Sequence, residues 1–168
     1  MKIRHSAQAD VPRIMEIYAG ARAFMAAHSN PNQWGKNNWP PEGLIENDIK
    51  AGHSYVCENE AGRVVGTFYF IAGHDVEPTY LRIYDGAWAD DTPYGVVHRI
   101  ASDYSQKGIG SFCLKWAFEQ CGHIRIDTHG DNYVMQALLK KLGYEKRGII
   151  YVDQDDAPRI AYEKSRDM

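Results

Sequence analysis

The stretch Ser105-Gln106-Lys107-Gly108-Ile109-Gly110-Ser111 has the residue types of an anion-holding turn. Its glycines lack the Cβ atoms that would keep a ligand off the backbone, and Lys107 adds a mobile cation. A helix opening directly after it would leave first-turn amides without intrahelical partners at the positive end of the macrodipole, where phosphate or pyrophosphate binds. The two widespread phosphate fingerprints fit poorly. A dinucleotide turn wants a third glycine, and Cys113 stands after Ser111 and Phe112; a nucleoside-triphosphate loop wants Gly-Lys-Ser/Thr in sequence, which is missing. A ligand-free tight turn is the competing reading. Two further groups able to move protons near neutrality are His98 and His129, the latter two residues from Asp127 and on the same strand face.

The elements that must position these groups follow from periodicity. Tyr94 to Ala101 reads as a strand and Phe112, Leu114, Trp116, Ala117 and Phe118 as a buried helical face, so the turn joins strand to helix. Alternation along that strand places His98 with Ile100 and Arg99 with Ala101. Lys2 to His5 is a short first strand. Asp10 reads as a cap and Pro12 as a first-turn residue of a long helix whose stripe is Ile14, Ile17, Tyr18, Ala21, Phe24 and Met25. Ser29 to Glu42 is a loop with two tryptophans, Trp34 and Trp39, which must tuck under it or line a cavity. Leu44, Ile45, Asp48 and Ile49 form a second helix ended by Gly52, and Ser54 to Cys57 and Val64 to Ile71 form a hairpin.

Tyr80 to Tyr84 reads as a further strand before the loop Asp85 to Pro93. Ile124 to His129 is a strand, and Asp131 or Asn132 caps a helix carrying Val134, Met135, Leu138, Leu139 and Leu142 that Gly143 closes. Arg147 to Val152 and Arg159 to Glu163 form a terminal hairpin. The order is β-α-α-β-β-β-α-β-α-β-β, a mixed α/β pattern.

With 168 residues, 44% of them hydrophobic, the chain suits one compact domain spanning 1–168. A formal net charge of −3 without a basic cluster argues against nucleic acid as a partner. No apolar run has the length of a membrane span, and Met1 to Ser6 has no signal core, so a cytoplasmic protein is expected. Cys57, Cys113 and Cys121 lack metal-ligand spacing and read as free thiols; no metal is expected.

Taken in order, Ile100-Ala101-Ser102, Gln106-Lys107-Gly108-Ile109-Gly110-Ser111, Asp127-Thr128-His129 with Asp131-Asn132, and Leu142-Gly143-Tyr144 resemble the GCN5-related N-acetyltransferase (GNAT) superfamily, over essentially the whole chain. The resemblance implies a single-domain GNAT fold: a mixed central sheet splayed between two strands, with helices on both faces. It implies an enzyme that takes acetyl-CoA as donor. The pantetheine arm would pair with main-chain atoms of Ile100, Ala101 and Ser102, the pyrophosphate would rest on amides from Gln106 to Ser111, and Asn132 would reach the pantetheine unless it only caps its helix.

Two positions depart from the family pattern. Ser105 stands where an Arg or Gln phosphate contact is usual, and Leu139 stands where many members carry the tyrosine that protonates the departing thiolate.

Acetyl transfer to an amine needs a neutral nucleophile, a donor for the carbonyl oxygen and a proton source for sulfur, with proximity supplying much of the rate. A backbone N–H near Ile100 or Ala101 is the economical oxyanion donor. His98, which resembles the strand histidine of arylalkylamine N-acetyltransferases, is the preferred general base, against the alternative of a histidine packed in the sheet; His129 is the second candidate, against a polar cluster at the helix cap. Tyr94, Tyr133 and Tyr144 offer phenols or core packing.

The family pattern assigns Trp34, Trp39, Trp88 and Tyr94 to the acceptor pocket, suiting a small organic primary amine. A protein N-terminal or lysine acceptor, an acyl-CoA-binding module without turnover, and nucleotide binding by the glycine turn are the other readings. The edge of the terminal hairpin makes a homodimer an expectation.

Overall fold

The computed structural model describes residues 1–168. The chain runs β1 (Lys2–His5), α1 (Val11–Ala27), α2 (Glu42–Lys50), β2 (Ser54–Glu58), β3 (Val64–Gly73), β4 (Tyr94–Ser102), α3 (Ile109–Cys121), β5 (His123–His129), α4 (Tyr133–Lys141), β6 (Glu145–Tyr151) and β7 (Pro158–Ser165). One mixed sheet has the strand order β1-β2-β3-β4-β5-β7-β6. β4 runs parallel to β5, whereas β1 with β2, β2 with β3, β5 with β7 and β6 with β7 are antiparallel. No helix is long and apolar enough to cross a membrane.

The chain divides into two compact units, Met1–Phe70 with Val97–Trp116, and Ile71–Val96 with Ala117–Met168. In the first, the α1 stripe Ile14, Ile17, Tyr18 and Ala21 is buried with Trp34, Ile45, Val56, Val64 and Ala101. That is the outcome of the 3.6-residue spacing, since one helix face must leave water. Asp10 departs from the expected helix cap. Its side chain makes no capping bond to α1; it accepts Ala7 N–H at 2.7 Å and pairs with Arg4 at 2.8 and 3.0 Å, closing the short 3-10 turn ahead of the helix. Trp34 tucks under its loop, edge-on to Tyr18 at 5.6 Å.

In the second unit, Tyr80, Tyr94, Val96, Ile150 and Ala161 form the core. Glu163 on β7 is fully buried and accepts from Arg125 Nε at 2.8 Å and from Ala89 N–H at 2.9 Å, with Arg147 at 3.3 Å. Arg125 itself lies under the rings of Trp88 and Tyr94 at 4.6 and 4.2 Å. The strand expected over Tyr80 to Tyr84 does not form. Pro78–Tyr80 is a 3-10 turn, and only Tyr84 pairs, with Ile149, through two 2.8 Å bonds. That bridge occupies part of the free edge of β6.

Candidate functional site

β4 carries the first group of candidate residues, and one backbone torsion decides how. Arg99 has φ 52°, in the left-handed region that side chains with a Cβ rarely adopt. The alternation expected from the sequence, His98 with Ile100 against Arg99 with Ala101, is therefore interrupted at Arg99. Two contacts hold this kink. Tyr18 on α1 donates its hydroxyl to Arg99 O at 2.7 Å, and the Arg99 guanidinium gives Nε and Nη2 to Asp48 Oδ2 on α2 at 3.1 and 2.7 Å.

Tyr69 on β3 covers the guanidinium, 4.6 Å from carbon to ring centroid, and its ring lies 5.8 Å from His98 and 5.6 Å from His53. The cluster thus gathers one carboxylate, one guanidinium, two imidazoles and a phenol. Burial pushes the Asp48 carboxyl above its ordinary value, opposed by Arg99 and, less strongly, by His53 and His98. The buried Tyr18 phenol is pushed far up by burial and stays a neutral donor.

The turn after β4 is built by Asp103. Its N–H donates to Val65 O at 2.9 Å, Oδ1 accepts Ser105 N–H at 2.9 Å and Ser105 Oγ–H at 2.6 Å, and Oδ2 takes Arg13 Nη2 at 2.7 Å. Arg13 Nε in turn donates to Val64 O at 2.9 Å. Ser105, the departure from the family pattern, thus spends its hydroxyl on the turn itself.

Gly108 has φ 85° and nothing within 4 Å of where a Cβ would stand, so its backbone is open. Phe112 N–H to Gly108 O, 2.9 Å, belongs to the first turn of α3. The amides ahead of Phe112 stand at the helix N-terminus, the position with unspent donors. Gln106, Lys107 and Gly108 are exposed, whereas Ile109 is buried beneath Gly66, where an added Cβ would lie 2.7 Å from its Cγ2.

In the second unit the parallel register of β4 with β5 covers Gly95↔Ile124 and Val96↔Arg125. His129, at the end of β5, accepts Asp131 N–H on Nδ1 at 3.1 Å. Asn132 is the N-cap of α4, its Oδ1 accepting Met135 N–H at 3.0 Å. Trp88 donates Nε1–H to Tyr80 O at 2.8 Å, and Tyr80 gives its hydroxyl to Asp127 at 2.6 Å. Tyr94 and Tyr144 have sealed hydroxyls without partners, and burial raises both phenols. Leu139 is fully buried. No cluster of three or more His, Cys, Asp or Glu side chains is arranged to hold a metal ion.

Within the first unit, then, β4 and the turn bring His98, Ile100, Ala101, Ser102 and the residues from Gln106 to Ser111 into one continuous segment, with Trp34 behind Tyr18 and Trp39 packed at the edge of that core. His129, Asn132, Trp88 and Tyr94 belong to the second. Sequence reasoning missed Asp48, Tyr69, Arg99, Asp103 and Arg13. A signal existed for Asp48: it follows Ile45 by one helical turn, so it is an acid on an apolar stripe. Arg99 was a charge inside an apolar run.

The sequence matches the acetyltransferase (GNAT) family model over residues 15–144. A GNAT-family acetyltransferase crystal structure from Streptococcus agalactiae 2603 is 31% identical, with a TM-score of 0.86 over 98% of this chain and 95% of that one. A Staphylococcus aureus Mu50 acetyltransferase crystal structure shares the fold at 21% identity and a TM-score of 0.69, covering 98% and 99% of the two chains. So does a Sinorhizobium meliloti phosphinothricin acetyltransferase solved with AcCoA, at 18% identity and 0.63, covering 98% and 87%. No curated protein matches in a sequence search. With the family pattern spanning β4, the turn, α3, β5 and α4, the chain belongs to the GNAT acetyltransferase family.

Proposed function

We propose that this protein is an acetyl-CoA-dependent N-acetyltransferase that moves the acetyl group to the primary amine of a small metabolite by direct attack in a ternary complex. The observation that carries the reading is the continuity, in one segment of β4, of the polar cluster around His98 and Arg99 with the Asp103-anchored turn that opens α3. The turn fits a pyrophosphate: its exposed residues include Lys107, Gly108 leaves the backbone uncovered, and the first amides of a 13-residue helix follow. Main-chain atoms of Ile100, Ala101 and Ser102 would pair the pantetheine arm, and amides from Gln106 to Ser111 would hold the phosphates.

When bound, acetyl-CoA supplies the acetyl group as a thioester. The chain's part is to orient and to move protons. His98 takes the proton that the acceptor ammonium must lose. A backbone N–H at Ile100 or Ala101 donates to the carbonyl oxygen as it gains charge, and the Arg99 kink, pinned by Tyr18 and Asp48, fixes where those amides point. Trp39, half-buried at the edge of the first unit's core, offers apolar surface for the acceptor's organic part.

The test is CoA release from acetyl-CoA against a panel of small amines, with the acetylated product identified by mass. The expected result is amine-dependent release that falls about 10²–10⁴-fold in His98→Ala while calorimetric acetyl-CoA binding is retained. Binding without turnover on any amine would refute the enzyme reading. Displacement of CoA by ATP or NAD would refute the assignment of the turn.

A further inference from the structure

The Asp48–Arg99 pair is only half spent. A carboxylate and a guanidinium frequently meet fork to fork, two N–H groups on two oxygens, as Arg4 and Asp10 do. Here both donors, Nε and Nη2, converge on the single oxygen Oδ2. Asp48 Oδ1 and Arg99 Nη1 take no part in the pair, and neither belongs to the sealed, unpartnered polar atoms of the fold. The side chains are 13% and 10% exposed for Arg99 and Asp48, so the charges are largely out of water and interact strongly with whatever meets their free atoms.

The chain also bears a conformational cost to put arginine here. A φ of 52° is one that glycine adopts freely and other residues rarely do. A kink needed only for its backbone would be served by glycine. The arginine adds a planar donor edge beside Tyr69, whose ring centroid lies 4.6 Å from the guanidinium carbon and 5.8 Å from the ring of His98, the proposed base.

We propose that Arg99 and Asp48 recognise an acceptor that carries a carboxylate beside its amine, a free amino acid. This rests on the acetyl-transfer reading of the same site and names its substrate class. The carboxylate takes the open Nη1 edge of Arg99, and the ammonium meets Asp48 Oδ1 before giving its proton to His98. Charge closes on this arrangement: guanidinium with carboxylate and carboxylate with ammonium leave no net charge in a half-dry site. An amine without the carboxylate brings an uncompensated positive charge toward Arg99. A peptide N-terminus lacks the carboxylate as well.

The experiment compares each standard amino acid with its own primary amide as acceptor, using the full chain and acetyl-CoA. Amides keep the amine and the side chain and lose only the negative charge. The expected result is a kcat/KM for the accepted amino acid roughly 30-fold or more above that of its amide, expressed mainly in KM. In Arg99→Gln the ratio falls toward one, and Arg99→Lys restores part of it. Because the ratio is taken within one protein sample, partial misfolding of a variant does not alter it. Amides accepted as well as or better than the acids, or a ratio unchanged in Arg99→Gln, would overturn this assignment while leaving acetyl transfer standing. Turnover of none of the acids or amides, with other amines acetylated, would overturn it too. Acetyl-CoA binding with no acceptor of any kind would remove the acetyl-transfer reading and this inference together.

Discussion

Replacing Tyr18 by phenylalanine deletes one oxygen atom from a ring that is 1% exposed and keeps its edge contact with Trp34. The deleted hydroxyl is the donor to Arg99 O, at 2.7 Å. A buried acceptor that loses its partner costs about 1–3 kcal/mol. The left-handed torsion at Arg99 costs roughly 1–3 kcal/mol by itself, so bond and strain are of one size and the bond decides whether the kink holds. In a chain of this length each kcal/mol moves Tm by about 2–4 °C, so Tyr18→Phe lowers Tm by roughly 2–12 °C. Scanning calorimetry reads that shift. Acetyl-CoA affinity, measured by titration calorimetry, falls together with kcat, because the Ile100 and Ala101 main chain proposed to pair the pantetheine arm loses its fixed direction.

The mechanism makes a sharper demand through Arg99→Gly, since glycine takes a positive φ freely. In that background the torsion no longer pulls against the bond, and Tyr18→Phe costs less than it does in the wild type; coupled neighbours deviate from additivity by about 0.5–3 kcal/mol. Equal losses in both backgrounds, or a Tyr18→Phe protein with wild-type Tm and kcat, would refute the argument that this hydroxyl pins β4.

Other consequences follow from the same geometry. Asp103→Ala frees Ser105 and Arg13 together, and acetyl-CoA KM rises roughly 5- to 10-fold with the acceptor KM little changed, about 1 kcal/mol of lost turn order. Gly66→Ala drives a methyl against Ile109 at the start of α3 and costs about 1–3 kcal/mol by overpacking, less in an Ile109→Ala background. Glu163→Ala leaves Arg125 buried without its carboxylate and lowers stability by about 3–5 kcal/mol, read as Tm. Burial raises the Glu163 carboxyl, but His123, the Ala89 amide and Arg125 together outweigh it and hold it below its ordinary value. A depressed carboxyl contributes stability above its unfolded-state value and loses it as pH falls through the folded-state value. The Tm gap between wild type and Glu163→Ala therefore narrows in acid.

The strand, glycine turn and helix were legible because each rests on a local rule: β-branched runs extend, positive-φ glycines turn, and apolar spacing of 3.6 makes a helix. The polar cluster was not, because its members are far apart in sequence. Asp48 and Arg99 are 51 residues apart, and Arg13 and Asp103 are 90 apart. Periodicity says which face a side chain takes and nothing about which distant partner meets it.

The two misread segments failed for related reasons. Tyr80 to Tyr84 has the aromatic and β-branched content of a strand, yet Pro78 starts a 3-10 turn there and only Tyr84 finds a backbone partner. Asp10 has the composition of a helix cap, but Arg4 and the Ala7 amide compete for its carboxylate and win. Arg99 defeats alternation itself, since one left-handed residue resets a period of two.

The position that often carries a proton-donating tyrosine in this family holds Leu139 here, on α4, with none of its side chain exposed. Burial of that leucine is a packing constraint, and it bears on mechanism. A tyrosine introduced at 139 must either force its larger ring into a filled core or push α4 outward, at about 1–3 kcal/mol for an overpacked site. Leu139→Tyr therefore lowers Tm by roughly 2–12 °C and brings no gain in kcat, because a ring that needs the helix displaced does not present its hydroxyl at a fixed distance from any reacting sulfur. The released thiolate needs no fixed acid when water can protonate it, since a free thiol such as cysteine's titrates at about 8.5 and exchanges its proton with the medium directly. On the proposed mechanism, proton removal from the acceptor ammonium is then the step that the protein must supply, and His98 is the group proposed for it. Measuring kcat and Tm of Leu139→Tyr beside those of His98→Ala separates these demands: a tyrosine variant that is both stable and faster than wild type would show that thiolate protonation limits turnover.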